Sequence, residues 1–399
     1  MLFLTREQKA GPGQGGRMKN VQRIERSQAC LYGGAIGDAL GAPLASLDWQ
    51  AICEQFGDDG LETYAPAHGG IGCITDDTQM MLFVAEGALR SYVRIQECEI
   101  YAPIVVLHHA LIRWLVTQGE QPAIAQIDTK VGLISDPRLH ARRSPATTSL
   151  EALAQAPAFG SVARNTSKQC DGLVRVAPVG LFPWGDFLLH HRDRAFSVAC
   201  ELTRCTHGHP SAYLSAGIFA YVINGMIDNG RSLESLIPAA LNFMDSGAWL
   251  DFFIECAEER EAVPRSQAHI RFLLETVLDF HAQGVTPTPQ GIDALGHGES
   301  AEEALAIAVW CALAAQDYRQ GVLWAVNHSG KSDSIGLLAG NLLGLRFGLA
   351  DIPIEWVEDI ELRDWLYRLG HDLQWLPKVY LGRGYGAHDA ELRECYPDN

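Results

Sequence analysis

Thr75-Asp76-Asp77-Thr78-Gln79-Met80-Met81-Leu82-Phe83-Val84-Ala85-Glu86-Gly87-Ala88-Leu89-Arg90-Ser91-Tyr92 opens with two aspartates between two threonines and runs on into an apolar segment without a proline. From Gln79 to Tyr92 the apolar residues follow helical spacing rather than strand alternation. The same period returns over 104–117, 196–204, 212–226, 266–281 and 301–315. Nearly every long segment behaves this way, so the sequence predicts an all-α protein of about a dozen helices. Long loops are expected at 136–148, 157–169 and 284–299, and no internal repeat stands out.

Composition narrows the class. A chain of 399 residues, 47% hydrophobic and 20% charged, can bury a large core. The net charge of −17 argues against a nucleic-acid backbone as the main partner. Ten cysteines lie scattered without a C-x-x-C pair, which reads as reduced, mostly buried thiols of a cytoplasmic protein. The N-terminus lacks the apolar run of a signal peptide, and no uncharged stretch reaches membrane-spanning length, so no membrane association is expected.

Residues 1–26 differ from the rest. Arg6, Lys9, Arg17, Lys19, Arg23 and Arg26 face only Glu7 and Glu25, around the sequence Gly11-Pro12-Gly13-Gln14-Gly15-Gly16. The reading is a basic, flexible N-terminal arm over 1–26 on an acidic domain spanning 27–399. Glycine then recurs every fourth residue in two segments, Gly33, Gly37, Gly41 and Gly336, Gly340, Gly344. Such stripes let helix backbones approach closely, and each adjoins a candidate site residue, Asp38 or Asp333.

The chemistry should lie in two acidic, hydroxyl-rich clusters, Thr75-Asp76-Asp77-Thr78 and Ser332-Asp333-Ser334. Thr75, Asp76, Asp77, Asp333 and Ser334 offer only oxygen, which suits a hard divalent cation such as Mg2+ or Mn2+. Each cluster precedes an apolar helix, where the dipole and free amides favour negative charge. An ordinary helix cap would use the same residue types, but paired aspartates between two threonines exceed what a cap needs.

These motifs belong to a longer ordered set. It runs from Gly33-Gly34-Ala35-Ile36-Gly37-Asp38-Ala39-Leu40-Gly41-Ala42-Pro43 through Ile74-Thr75-Asp76-Asp77-Thr78-Gln79-Met80 to Arg113-Trp114-Leu115. Cys170 with Arg175-Val176-Ala177-Pro178 follows, then Thr206-His207 with His209-Pro210, Val326-Asn327-His328-Ser329-Gly330 and Gly340-Asn341. Taken in order they resemble the ADP-ribosylglycohydrolases. The resemblance implies a single large orthogonal multi-helix domain and a Mg2+-dependent hydrolase (Mn2+ possible as the ion) that removes ADP-ribose from arginine side chains of modified proteins. It implies Thr75, Asp76, Asp77, Asp333 and Ser334 as metal ligands and Asp76 or Asp77 as the base. His207, His328, Ser329 and Gly330 would bind substrate, with Ser329 and Gly330 offering a hydroxyl and an amide to a diphosphate. Trp114 reads as core, and Cys170 lacks an activating partner for catalysis.

Two positions depart from the family pattern. Ala45 stands where many members carry a glutamate, and Lys331 where an aspartate ligand is usual, with Ile335 replacing a threonine. A unit-charge interaction at about 4 Å is worth roughly 4 kcal/mol at an effective dielectric near 20. Exchanging a carboxylate for an ammonium therefore predicts at most one tightly held metal, with activity impaired if either position is critical.

Some members of the family are immunity proteins against ADP-ribosyltransferase toxins, and the basic arm fits that role. Two readings stand: an ADP-ribosylarginine hydrolase acting on ADP-ribosylated protein, or a catalytically weakened relative that neutralises a cognate toxin by blocking its active site with the arm.

Overall fold

The computed structural model describes residues 14–124, 127–184, 193–249, 257–380 and 395–397. Among them sixteen α-helices account for most of the regular structure; no β-strand occurs among the described residues, only isolated bridges at Ala67–Gly70 and Gln169–Ser300. In chain order they are α1 (Gln14–Gly41), α2 (Trp49–Phe56), α3 (Asp76–Cys98), α4 (Pro103–Thr117), α5 (Thr147–Ala154) and α6 (Ala177–Leu181). The chain continues with α7 (Arg194–Arg204), α8 (Pro210–Asn229), α9 (Leu233–Ser246), α10 (Ala257–Ala282) and α11 (Pro289–Asp293). It ends with α12 (Ala301–Ala314), α13 (Tyr318–Val326), α14 (Ser332–Phe347), α15 (Ile354–Asp359) and α16 (Arg363–Tyr380). The all-α expectation holds, with more helices than expected because short ones such as α11 interrupt segments read as loops. No helix is long and apolar enough to cross a membrane among the described residues.

The glycine stripes decide the centre of the fold. α1 packs most extensively against α14, antiparallel, with Gly33 opposite Gly340 and Gly37 opposite Gly336. A Cβ on Gly37 would lie 1.9 Å from the Gly336 carbonyl oxygen, and one on Gly41 would lie 2.4 Å from the Asp333 amide. Backbone therefore meets backbone, and Gly41 abuts the first turn of α14, which carries the second acidic cluster. Gly37→Ala is expected to cost about 3 kcal/mol or more, because the obstacle is main chain that no rotamer change can clear. Urea denaturation checks it; an unchanged midpoint would show that the two helices can separate freely.

The boundary read after residue 26 falls inside α1. Residues 14–26 are helical, and Arg23 Nε donates to Gln374 Oε1 (3.1 Å) while Arg26 Nη1 donates to the Met226 carbonyl (3.1 Å). Residues 1–13 lie outside the described residues.

α3 is buried from Asp76 through Val93, which explains why its apolar residues surround the helix rather than forming one stripe. Its interior charge is paired: Glu86 Oε1 accepts from Arg90 Nε at 3.0 Å and lies 3.6 Å from Arg113 Nη2. The helix stops at Glu99 in the left-handed region (φ 56°), whose amide reaches the Ile95 carbonyl. Trp114 is fully buried, as expected of a core residue.

One half-buried carboxylate away from the acidic clusters gives the fold a pH dependence. Burial raises the Glu201 pKa to about 7, against the opposing pull of Arg194 and Arg204. At Glu201 the folded chain then binds more protons than the unfolded one between about pH 4.5 and pH 7. That contribution is present at the acid end and is lost as pH rises through the window. Thermal denaturation from pH 4.5 to 7.5 should show a shallower decline for Glu201→Gln than for the parent; parallel profiles would contradict the assignment.

Candidate active site

The first cluster is built around a helix start braced from below. Thr75 is the N-cap of α3, and its Oγ1 accepts the Asp77 amide at 3.2 Å. Asp38, fully buried on α1, accepts the Thr75 amide (2.9 Å), the Thr75 hydroxyl (2.7 Å) and the Thr78 hydroxyl (2.5 Å). The two threonines flanking the aspartates therefore have a structural role, bonding Asp38 while Asp76 and Asp77 project from the first turn. Gln79 extends the brace outward. Its Oε1 accepts from Trp114 Nε1 and Gln118 Nε2, and its Nε2 donates to the Ala141 carbonyl, tying down the loop before α5.

The second cluster meets the first directly. Ser334 Oγ donates to Asp77 Oδ2 at 2.6 Å, joining residues 257 positions apart. Asp333 Oδ1 accepts the Ser334 amide at 2.8 Å. Lys331 takes the N-cap position of α14 and makes no side-chain cap. Ile335, in place of a threonine, is fully buried with its Cδ1 beside Gly298. That position has thus become core.

Electrostatically the site is overloaded with negative charge. Burial first, then repulsion from Asp333, Asp171 and Asp38, holds Asp76 well above the usual carboxylate range. Asp77 is raised by burial and then by Asp76 and Asp333. Asp38 rises to about 7, chiefly through burial. Asp333 is also raised by burial, with Lys331 pulling the other way. Buried like charges of this kind call for a cation. The donor set is entirely oxygen and fits Mg2+ or Mn2+. Among the described residues no three Asp, Glu, His or Cys side chains converge as a ready-made metal cage, so hydroxyls and water would have to complete any shell.

Lys331 supplies one positive charge in place. Burial alone would lower its pKa, but the carboxylates of Asp333, Asp77 and Glu299 outweigh it and hold the ammonium charged. Its charge acts on both Asp333 and Asp171.

Asp171, absent from the sequence-based site, belongs to this group. It is 4% exposed. Burial would raise its pKa, yet the His207 hydrogen bond and the Lys331 ammonium hold it below the usual range. Behind it runs a relay: Arg175 Nη2 donates to Thr206 Oγ1, Thr206 Oγ1 lies 2.8 Å from His207 Nδ1, and His207 Nε2 lies 3.2 Å from Asp171 Oδ2. Burial keeps the imidazole neutral, so Nε2–H donates to Asp171 and Nδ1 accepts from Thr206. His207 is fully buried with both nitrogens engaged; it orients Asp171 instead of facing a ligand. The only sequence signal was position, since Asp171 follows Cys170 within a family-like motif. The Cys170 thiol itself is buried and raised, hence inert.

The loop between α13 and α14 also uses its expected ligand-binding groups internally. Ser329 Oγ accepts the Trp49 amide (3.1 Å) and donates to Asp293 Oδ2 (3.2 Å). The Gly330 amide donates to the Leu47 carbonyl (3.4 Å), and its carbonyl accepts the Ser46 amide (3.3 Å). These bonds lock the loop to the turn carrying Ala45. Gly330 sits at φ 119° with the His297 carbonyl 2.3 Å from any Cβ, which explains the glycine. His328 is the exception. Its Nδ1 donates to the Ser329 carbonyl at 2.9 Å, whereas the buried Nε2 has no hydrogen-bond partner among the described residues.

Arg143 pins the entrance to α3. Its Nη1 donates to the Ile74 carbonyl (2.9 Å) and its Nη2 to Glu361 Oε1 (2.9 Å), while Glu361 Oε2 accepts the Ile74 amide (3.2 Å).

The ADP-ribosylglycohydrolase family profile matches residues 19–382. The chain is 23% identical over 352 residues to an uncharacterized protein of Archaeoglobus fulgidus, covering 88% of this chain and 96% of that one. It is 21% identical over 366 residues to ADP-ribosylarginine hydrolase Tri1 of Serratia proteamaculans, covering 88% and 80%. Its fold matches a chain of an ADP-ribosylglycohydrolase-related protein complex with a TM-score of 0.61 at 20% identity, covering 90% of this chain and 99% of that one. A match of this extent, with both acidic clusters brought to one buried site, places the chain in the ADP-ribosylglycohydrolase family.

Proposed function

We propose that the chain hydrolyses the N-glycosidic bond between ADP-ribose and an arginine side chain of a modified protein. The observation that carries this reading is the Ser334–Asp77 hydrogen bond, which joins two distant acidic clusters into one all-oxygen site. Cleavage leaves positive charge developing on the ribose as the neutral guanidine departs. Asp76 and Asp77, raised by burial and by the fields of neighbouring carboxylates, face that charge with little competing water. Asp77 is held by Ser334. The Asp76 side chain hydrogen-bonds to no other described residue, which suits it to take the proton of the attacking water. Asp171, fixed by His207, adds a further carboxylate beside them. Asp76, Asp77, Asp333, Thr75 and Ser334 are the residues that would hold a single Mg2+ or Mn2+, which when bound would orient ribose hydroxyls and water.

A second reading rests on the basic composition of the N-terminal segment against an acidic body. In it the chain neutralises an ADP-ribosyltransferase toxin by binding, with the N-terminal arm read over residues 1–26 entering the toxin's active site; residues 1–13 of that arm lie outside the described residues. Because α1 begins at Gln14, a truncation removing 1–13 tests the segment without cutting the central helix. Incubating an ADP-ribosylarginine protein with the full chain or the truncated chain, plus Mg2+, separates the readings. Release of ADP-ribose by both supports the hydrolase. Toxin inhibition that requires residues 1–13, without release, supports the blocker, and neither result sinks both.

A further inference from the structure

Against Asn327, at the start of the 327–331 loop, lies a cleft of about 510 Å³. Trp49, Leu323 and Trp324 give it an apolar, aromatic wall, and Asp58, Asp59 and Glu62 form an exposed acidic rim. None of Asp38, Asp76, Asp77 and Asp333 lines it. It is nonetheless attached to the acidic site, because Asn327 lines the cleft and four residues later the same loop presents Lys331.

The cleft is preformed. Asn327 clasps Leu61 through both its amide and its carbonyl (2.8 and 2.9 Å), and Asp48 caps α2 through the Ala51 amide at 2.8 Å. Its lining sets three carboxylates against one guanidinium, so its charge is net negative. Arg319, a cation of the lining, is already committed, donating to the Glu62 carbonyl at 2.9 Å and lying 5.2 Å from the centroid of the Trp356 ring. The carboxylates of Asp58, Asp59 and Glu62 form no ion pair among the described residues. A surface of this kind repels the diphosphate of ADP-ribose. It suits an arginine or lysine side chain, whose cation meets the carboxylates while its stem lies on indole.

We propose that this cleft binds a basic flanking segment of the ADP-ribosylated protein, holding the modified arginine toward the carboxylate site. The identity of the bound segment as substrate rests on the hydrolase reading; the binding itself does not.

Fluorescence anisotropy of a labelled, arginine-containing peptide bearing no ADP-ribose, titrated with the full chain, measures the interaction. The triple variant Asp58→Asn, Asp59→Asn, Glu62→Gln should weaken binding about tenfold, and high salt should do the same. These side chains are exposed, so the fold is retained. In hydrolysis assays the triple variant should raise KM for a modified basic peptide about tenfold with kcat unchanged, and leave free ADP-ribosylarginine unaffected. Peptide binding indifferent to the triple substitution overturns the proposal. So does an equal rise in KM for free ADP-ribosylarginine, which would put the nucleotide in the cleft. Carboxylate-dependent peptide binding without hydrolysis of any substrate supports the cleft and overturns the hydrolase reading instead.

Discussion

Asp76→Asn is expected to lower the rate of ADP-ribose release from modified arginine by about a thousandfold, the range in which positioned proton transfer acts. The substitution keeps the shape of the side chain and removes its basicity. Since Asp76 is raised by burial and by Asp333, Asp171 and Asp38, a neutral amide also relieves repulsion. The variant should therefore melt at a higher temperature than the parent when no divalent cation is added. Lost activity together with gained stability is the combined signature, because a merely misfolded variant would lose both. Single-turnover release and calorimetry on the same preparation read the two quantities. Near-parental turnover would remove Asp76 from the chemistry and leave Asp77 as the base.

Lys331→Asp should change the number of ions the site holds. In the parent, the ammonium acts on Asp77, Asp333 and Asp171 and offsets part of the charge that would otherwise attract a second cation. Reversal of that charge alters each nearby unit-charge interaction by roughly 8 kcal/mol at about 4 Å and an effective dielectric near 20, before relaxation and salt reduce it. Equilibrium dialysis with Mn2+ is expected to give one tight ion per parent chain and two per variant, with the first bound at least about a hundredfold more tightly in the variant. The paramagnetic spectrum should report a coupled Mn2+ pair in the variant alone. Two tight ions in the parent, or one in the variant, would refute the role given to Lys331. The Lys331→Ala protein should fall between them.

Much of this site is legible in the chain itself. The Thr75-Asp76-Asp77 run and its place at a helix start follow from residue type and order, while its pairing with Ser332-Asp333-Ser334 is implied by the resemblance to the family. Lys331 is readable as an anomaly for the same reason. Asp171 is not legible as a site residue. Its meaning depends on His207, Thr206 and Arg175, a relay closed by tertiary contact across more than thirty positions. Ser329 and Gly330 read in the opposite sense. Hydroxyl and glycine suggest an anion cradle, but the turn after α1 reaches them first and uses their hydrogen bonds.

The sequence alone determined the all-helical class, the acidic body and the two hydroxyl-rich acidic clusters, because periodicity, charge and functional groups are local properties of the chain. Tertiary structure decided everything that depends on which groups meet. It set α1 against α14 at backbone contact, brought Ser334 onto Asp77 and made the flanking threonines bond Asp38. It also continued the basic N-terminal reading into helix from Gln14 and opened an acidic, aromatic cleft against Asn327. Those outcomes depend on packing distances of a few ångströms between residues far apart in the chain, a scale that spacing along the sequence does not encode.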